Sequence, residues 1–187
     1  TIDAAGQGGV VSASTGAVAT ISGLTLRNGN KSESLGIVAG GGIRNLGTLT
    51  VVNCAILDCD ATGFNPLGAN GGGGIYSEGD LTVIGCTIAG NIAEQGSGLK
   101  LSGSFTLRDS IIADNQGDGL LIVGGTEGTI ENCQFLGNSR DGFYGAGITI
   151  TGSTFSDNGR NGLNLTGGTA TDCLISGNAF AAAILSH

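Results

Sequence analysis

The chain has 187 residues, of which 38 are glycine and one is proline; hydrophobic residues make up 40%, charged residues 12%, and the net charge is −8. That length and apolar content fit one folded domain over residues 1–187 and exclude a disordered tail, while the lack of a Gly-X-Y period excludes collagen. Seven scattered Lys and Arg form no basic stripe, which speaks against nucleic acid and anionic membranes, and no apolar run reaches the roughly 20 residues a membrane helix needs.

In chain order, the opening "TIDAAGQGGVV" reads as a partial coil, and seven strand-like segments then fall into register. They are "TISGLTLRNG" from Thr20, "TVVNCAILDC" from Thr50, "TVIGCTIAGN" from Thr82, "TLRDSIIADN" from Thr106, "TIENCQFLGN" from Thr129, "TITGSTFSDN" from Thr149 and "TATDCLISGN" from Thr169. Their spacings are 30, 32, 24, 23, 20 and 20 residues. A second apolar anchor follows each: Ile43, Ile75, Leu99, Leu120, Phe143, Leu163 and Ile184, all but the last preceded by Gly.

Period-2 alternation within each copy predicts strands, and a return after about 20 residues predicts one coil of a parallel β-solenoid. One coil cannot bury its own apolar side chains, so the coils must stack about 4.8 Å apart. Equivalent residues then form columns. Asn91, Asn115, Asn138, Asn158 and Asn178 predict an asparagine ladder, each side chain bonding the turn of the next coil. Cys54, Cys86, Ser110, Cys133, Ser153 and Cys173 predict a small inward column, with Ile56, Ile88, Ile112, Phe135, Phe155 and Ile175 beside it. Glycine is expected at the sharp corners, where φ turns positive. The fold expected is all-β, a single-stranded right-handed parallel β-helix of about seven to eight coils, with loop insertions near 30–40 and 60–70.

"GGGI" at 40–43 and 72–75, "FLGN" at 135–138 and "FSDN" at 155–158 resemble the GG-x-I and F-x-x-N signatures of right-handed β-helix repeats in the pectin-lyase-like superfamily. The nearest resemblance is to bacterial surface repeats, polymorphic outer-membrane proteins among them. It implies the fold across nearly the whole chain. It leaves function open, because the superfamily hosts lyases, hydrolases, epimerases, adhesins and stalks.

Candidate chemistry gathers on the strand after the second anchor. Its expected outward column is Arg44, Tyr76, Lys100, Leu121, Tyr144, Asn164 and Leu185, with Glu78 nearby. There an anionic sugar would meet Arg44 and Lys100 while Tyr76 stacks or shuttles a proton; an ordinary solvated face is the competing reading. No paired Asp accompanies these residues, so no catalytic residue is assigned. The apolar stretches "NKSESLGIVAG" and "ATGFNPLGAN" carry Leu35, Ile37, Val38, Phe64, Pro66 and Leu67, and are expected as neighbouring loops walling this face beside Arg44 and Tyr76.

Asp58 and Asp60 share a turn, and Asp114, Asp118 and Asp141 would come together at a corner as a weak calcium site or plain turns; no cofactor and no metal site is otherwise expected. The column Thr20, Thr50, Thr82, Thr106, Thr129, Thr149 and Thr169 would make a flat outward row of the kind ice-binding solenoids use, although Val52, Ile84, Arg108 and Glu131 interrupt its neighbour. Arg108 and Glu131 are expected to pair across adjacent coils. Cys54 and Cys86 are expected as buried thiols, because stacked Cβ vectors do not point at each other. "NKS" at Asn30 and "NLT" at Asn164 match the N-glycosylation pattern.

Together these readings favour a structural or binding segment of a secreted or cell-surface protein: stalk, adhesin module or fibre subunit. The alternatives are a polysaccharide lyase, hydrolase or epimerase, or an ice-binding protein. The expected partner is a polysaccharide or a cell-surface molecule, without nucleic acid or membrane insertion. Both ends read as open coils, the pattern of a piece of a longer protein or of a subunit that stacks end to end.

Overall fold

The computed structural model describes residues 1–31, 39–63 and 71–186, and among them there is strand, turn and bend but no helix. The chain coils around a single core, and each circuit contributes to three faces. A short face stacks Ile2–Asp3, Thr25–Arg27, Ala55–Leu57, Thr87–Ala89, Ile111–Ala113, Gln134–Leu136, Thr154–Ser156 and Leu174–Ser176 as an eight-stranded sheet. An anchor face stacks Val11–Ala13, Ile43–Asn45, Ile75–Ser77, Leu99–Leu101 and Leu120–Ile122. A threonine face stacks Val18–Ser22, Thr48–Val52, Asp80–Ile84, Phe105–Arg108 and Gly128–Glu131.

All pairings are parallel, and the register runs without a slip from Thr20 through Thr50, Thr82, Thr106, Thr129 and Thr149 to Thr169. Alternation decides what faces inward. Leu49, Val51, Leu81, Val83, Leu107, Ile130 and Ile150 are buried between the threonines, and meet Ile56, Ile88, Ile112, Phe135 and Phe155 from the short face. The Phe135 and Phe155 rings stack with centroids 4.8 Å apart and 6° between planes, so the coil spacing doubles as an aromatic stacking distance.

Two corners bound the short face, and each demands one left-handed residue per coil. At the first stand Gly23, Asn53, Gly85, Asp109, Asn132, Gly152 and Asp172, at the second Asn28, Asp58, Gly90, Asp114, Gly137, Asp157 and Gly177, all with φ between 50° and 67°. Only Gly, Asn and Asp fill these positions, the three residues that tolerate this conformation most readily. The glycine before each anchor has a different cause, close approach. A Cβ on Gly142 would lie 2.6 Å from the Gly162 carbonyl oxygen and 2.8 Å from Nδ2 of Asn158. Glycine is thus corner material in part, and elsewhere it makes room for the asparagines.

The asparagine ladder is present, with its direction reversed from expectation. Oδ1 of Asn115 accepts from the backbone N–H of Asn91 at 3.0 Å, so each side chain satisfies the preceding coil. Its Nδ2 donates to the Ile88 carbonyl and on to Asn138 Oδ1, and the same pattern links Asn138, Asn158 and Asn178. Cys59 occupies the ladder position one coil earlier and donates its backbone N–H to Asn91 Oδ1. The Cys/Ser column works alike: Cys86 N–H donates to Ser110 Oγ, and Cys133 N–H to Ser153 Oγ. All five cysteines are free thiols.

Two further differences concern the later coils. Phe143–Thr151 and Leu163–Thr171 each run as one nine-residue strand across anchor and threonine faces, joining those faces into a single 13-stranded sheet. In the last coil Leu163 pairs with Ala183, so the anchor is Ala183 rather than Ile184. The loops carrying Leu35, Ile37, Val38, Phe64, Pro66 and Leu67 lie outside the described residues, but their flanks are in register: Asn30 bridges Asp60, and Ala39 bridges Gly71.

Candidate functional site

The anchor strands expose every second residue, and their outward column reads Arg44, Tyr76, Lys100, Leu121, Tyr144, Asn164 and then Ile184, where Leu185 was expected. Arg44, Tyr76 and Lys100 therefore sit on successive coils as anticipated. Tyr144 stands three coils beyond Tyr76, about 14 Å along the axis, with Leu121 between. The sequence candidates thus divide into two groups, and Phe64 belongs to the residues not described.

The first group is covered. Tyr76 and Lys100 are each only 7% exposed. The Tyr76 hydroxyl donates to Glu78 Oε1 at 2.5 Å, and burial followed by that bond pushes its pKa up to about 12. It is a locked donor that keeps its proton at neutral pH. Lys100 Nζ donates to Gln95 Oε1 at 2.7 Å, and burial lowers its pKa. Arg44 Nε is buried without a hydrogen-bond partner. These side chains brace the sheet's outer surface.

The second group is open. A cleft of about 580 Å³ is lined by Glu94, Gln95, Leu121, Val123, Tyr144 and Asn164, with Asp118, Arg140, Asp141 and Arg160 along one side. Tyr144 is 48% exposed and presents its ring there. The acidic side is a second ladder, which the sequence reading missed. Asp118 Oδ1 accepts from the Asp141 N–H, Asp141 Oδ1 from both the N–H and Nδ2 of Asn161, and Asn161 Oδ1 from the Ala181 N–H. Here each acceptor serves the following coil, the opposite sense to the asparagine ladder. The residues share a D/N-G-apolar tripeptide ("DGL", "DGF", "NGL"), the one signal that identifies them.

Arginine compensates the buried carboxylates from one coil on. Arg140 Nε lies 3.7 Å from Asp118 Oδ1, and Arg160 Nε 4.0 Å from Asp141 Oδ1. Both distances exceed the 2.7–2.9 Å or so of a tight charge-assisted bond. Burial raises the Asp118 carboxyl above its ordinary value, against the lowering pull of Arg140. Asp114 does not join them: it is a left-handed corner residue whose carboxylate lies over Gly137. Among the described residues no three His, Cys, Asp or Glu side chains converge for a metal.

The threonine column is continuous, and a shallow trough crosses it beside Asp80, Ser104 and Glu127. Its neighbouring outward column is mixed, with Val52, Ile84, Arg108 and Glu131 paired in order, so Thr149/Thr151 and Thr169/Thr171 stack as a double row on the last coils while the pair Thr48/Thr50 stands apart. Arg108 Nη2 and Glu131 Oε2 are 2.9 Å apart, the expected cross-coil pair. A family model described as right handed beta helix region matches residues 1–180. No curated protein and no solved structure matches the chain.

Proposed function

The chain belongs to the right-handed β-helix family, and from that premise we propose that it is a rigid binding module that holds an extended polysaccharide along its anchor face. The observation that carries this reading is the open cleft, where an exposed tyrosine ring, an amide pair and two arginines face one space. Aromatic faces with planar polar groups suit a sugar ring, which offers an apolar face and a rim of hydroxyls. A continuous sheet with side chains repeating at the coil spacing suits a polymer better than a small molecule.

Binding is favoured over turnover because of how the carboxylates are used. Asp118 Oδ1 and Asp141 Oδ1 accept backbone N–H bonds that hold neighbouring coils together. A general acid or base must release and regain its proton freely, and these carboxylates are structural. Extended polysaccharides are met outside cells, so the proposal carries an extracellular or cell-surface location with it.

Affinity electrophoresis through gels containing individual polysaccharides tests the reading. Retardation by at least one polymer, reduced about tenfold or more in affinity by Tyr144→Ala, is the expected result. Retardation by none, or release of reducing ends or unsaturated products on prolonged incubation, would overturn it.

A further inference from the structure

We infer that the cleft selects uncharged glycans over polyuronates, reading sugar hydroxyls through the loose Asp118–Arg140 and Asp141–Arg160 pairs. The inference rests on the binding reading above and adds the class of ligand. It starts from charge. Two guanidiniums, Arg140 and Arg160, line the cleft against three carboxylates, Glu94, Asp118 and Asp141. The two arginines already face Asp118 and Asp141, and Arg140 Nη1 also donates to the Glu94 carbonyl at 3.4 Å. Among the described residues that line the cleft, no cation is left over for an incoming carboxylate. Lys100, the nearest lysine of the outward column, is buried and held by Gln95.

A uronate would enter beside carboxylates that are themselves 7% and 3% exposed. One of them already resists ionisation, and a further anion in so poorly solvated a place costs more than it would at the surface. A hydroxyl meets no such penalty. It accepts from a guanidinium and donates to a carboxylate at once, and gaps of 3.7 and 4.0 Å leave those groups short of saturating each other. Among the described residues, the hydrogen bonds that Asp141 accepts end on Oδ1, which leaves Oδ2 as the acceptor for a ligand. The two pairs lie one coil apart, so the same donor–acceptor couple is offered twice, about 4.8 Å apart. Tyr144 and Asn164, on those same two coils, supply a stacking ring and an amide. Gln95 adds a donor, because its Oε1 is engaged by Lys100 while its Nε2 is the part left to point elsewhere.

The test uses matched polymers. Neutral glucan, galactan, mannan and xylan oligomers are titrated calorimetrically into the whole chain, alongside the glucan, galactan and mannan after oxidation at C6 to uronates. The expected result is that at least one neutral oligomer binds and its oxidised partner binds about tenfold more weakly or worse. Asp141→Asn, with folding verified by its melting transition, is expected to weaken the neutral ligand and narrow that ratio. Equal or tighter binding of the uronate would overturn the selectivity while leaving the binding module intact. A ratio unchanged in Asp141→Asn would remove the assignment to the Asp–Arg pairs. Binding of no oligomer in either series would instead overturn the binding reading itself.

Discussion

The two ladders that run along this solenoid solve one problem with different chemistry. At each corner a backbone N–H points along the axis and needs an acceptor from an adjacent coil. The asparagine ladder supplies Oδ1 as acceptor and Nδ2 as donor, so Asn91, Asn115, Asn138 and Asn158 are bonded on both sides and fully buried or nearly so. The acidic ladder supplies acceptors alone at Asp118 and Asp141. A carboxylate cannot donate to the one below it, so charge accumulates and the compensation comes from Arg140 and Arg160 at the rim. The complete ladder is sealed; the incomplete one opens into the cleft. Groups left partly satisfied by the fold remain available to a ligand, at some cost in stability.

The largest effect should come from breaking the sealed ladder. Asn138→Ala removes the acceptor for the N–H and Nδ2 of Asn115 and the donor to the Ile112 carbonyl. Unsatisfied buried groups cost about 1–3 kcal/mol each, so a loss of about 3 kcal/mol or more is expected in urea denaturation. A loss under 1 kcal/mol or so would mean the ladder adds little beyond packing.

Converting the incomplete ladder into the complete kind should act in the opposite direction. Asp141→Asn gives Asp118 an Nδ2 donor, as Asn161 already gives Asp141. Stability should rise by about 1 kcal/mol while glycan affinity falls. A variant that loses stability would show that Arg160 compensates Asp141 more completely than its 4.0 Å separation implies.

The smallest effect is a pH slope. Asp118 has a folded pKa above its ordinary value of 3.8, so the folded chain holds that proton more tightly than the unfolded one. Its contribution is therefore most favourable below 3.8 and is lost as pH rises through the folded value. Denaturation midpoints of the native chain and of Asp118→Asn, compared between pH 4 and pH 7 or so, should differ in slope by that group alone. Parallel profiles would place Asp118 in a more solvated setting than its burial indicates.

Much of this was written in the sequence because a solenoid repeats its demands. Seven threonines, five asparagines and the Arg108–Glu131 pair are legible as columns, since identical residues at equal offsets must stack. The acidic ladder escaped because its positions hold Asp118, Asp141 and Asn161, three contacts of one kind made by two residue types. The last anchor was misplaced by one because "AFAAAILSH" offers apolar residues at both 183 and 184; backbone bonds from Leu163 to Ala182 decide the register. Alternation identified Tyr76 and Lys100 as outward-facing, which they are, but alternation within a strand carries no information about what covers that face.

The left-handed corners have a consequence for how such a molecule changes over generations. Each circuit asks for Gly, Asn or Asp at two places and hands its hydrogen bonds to the circuits on either side. A stretch from one ladder asparagine to the next, 20 to 24 residues between Asn91 and Asn178, is therefore interchangeable with its neighbours. Duplicating or excising such a stretch would lengthen or shorten the rod by about 4.8 Å while every junction still met a compatible partner. The protein behaves as a ruler whose graduations can be copied, and its reach is a trait that selection can adjust one notch at a time.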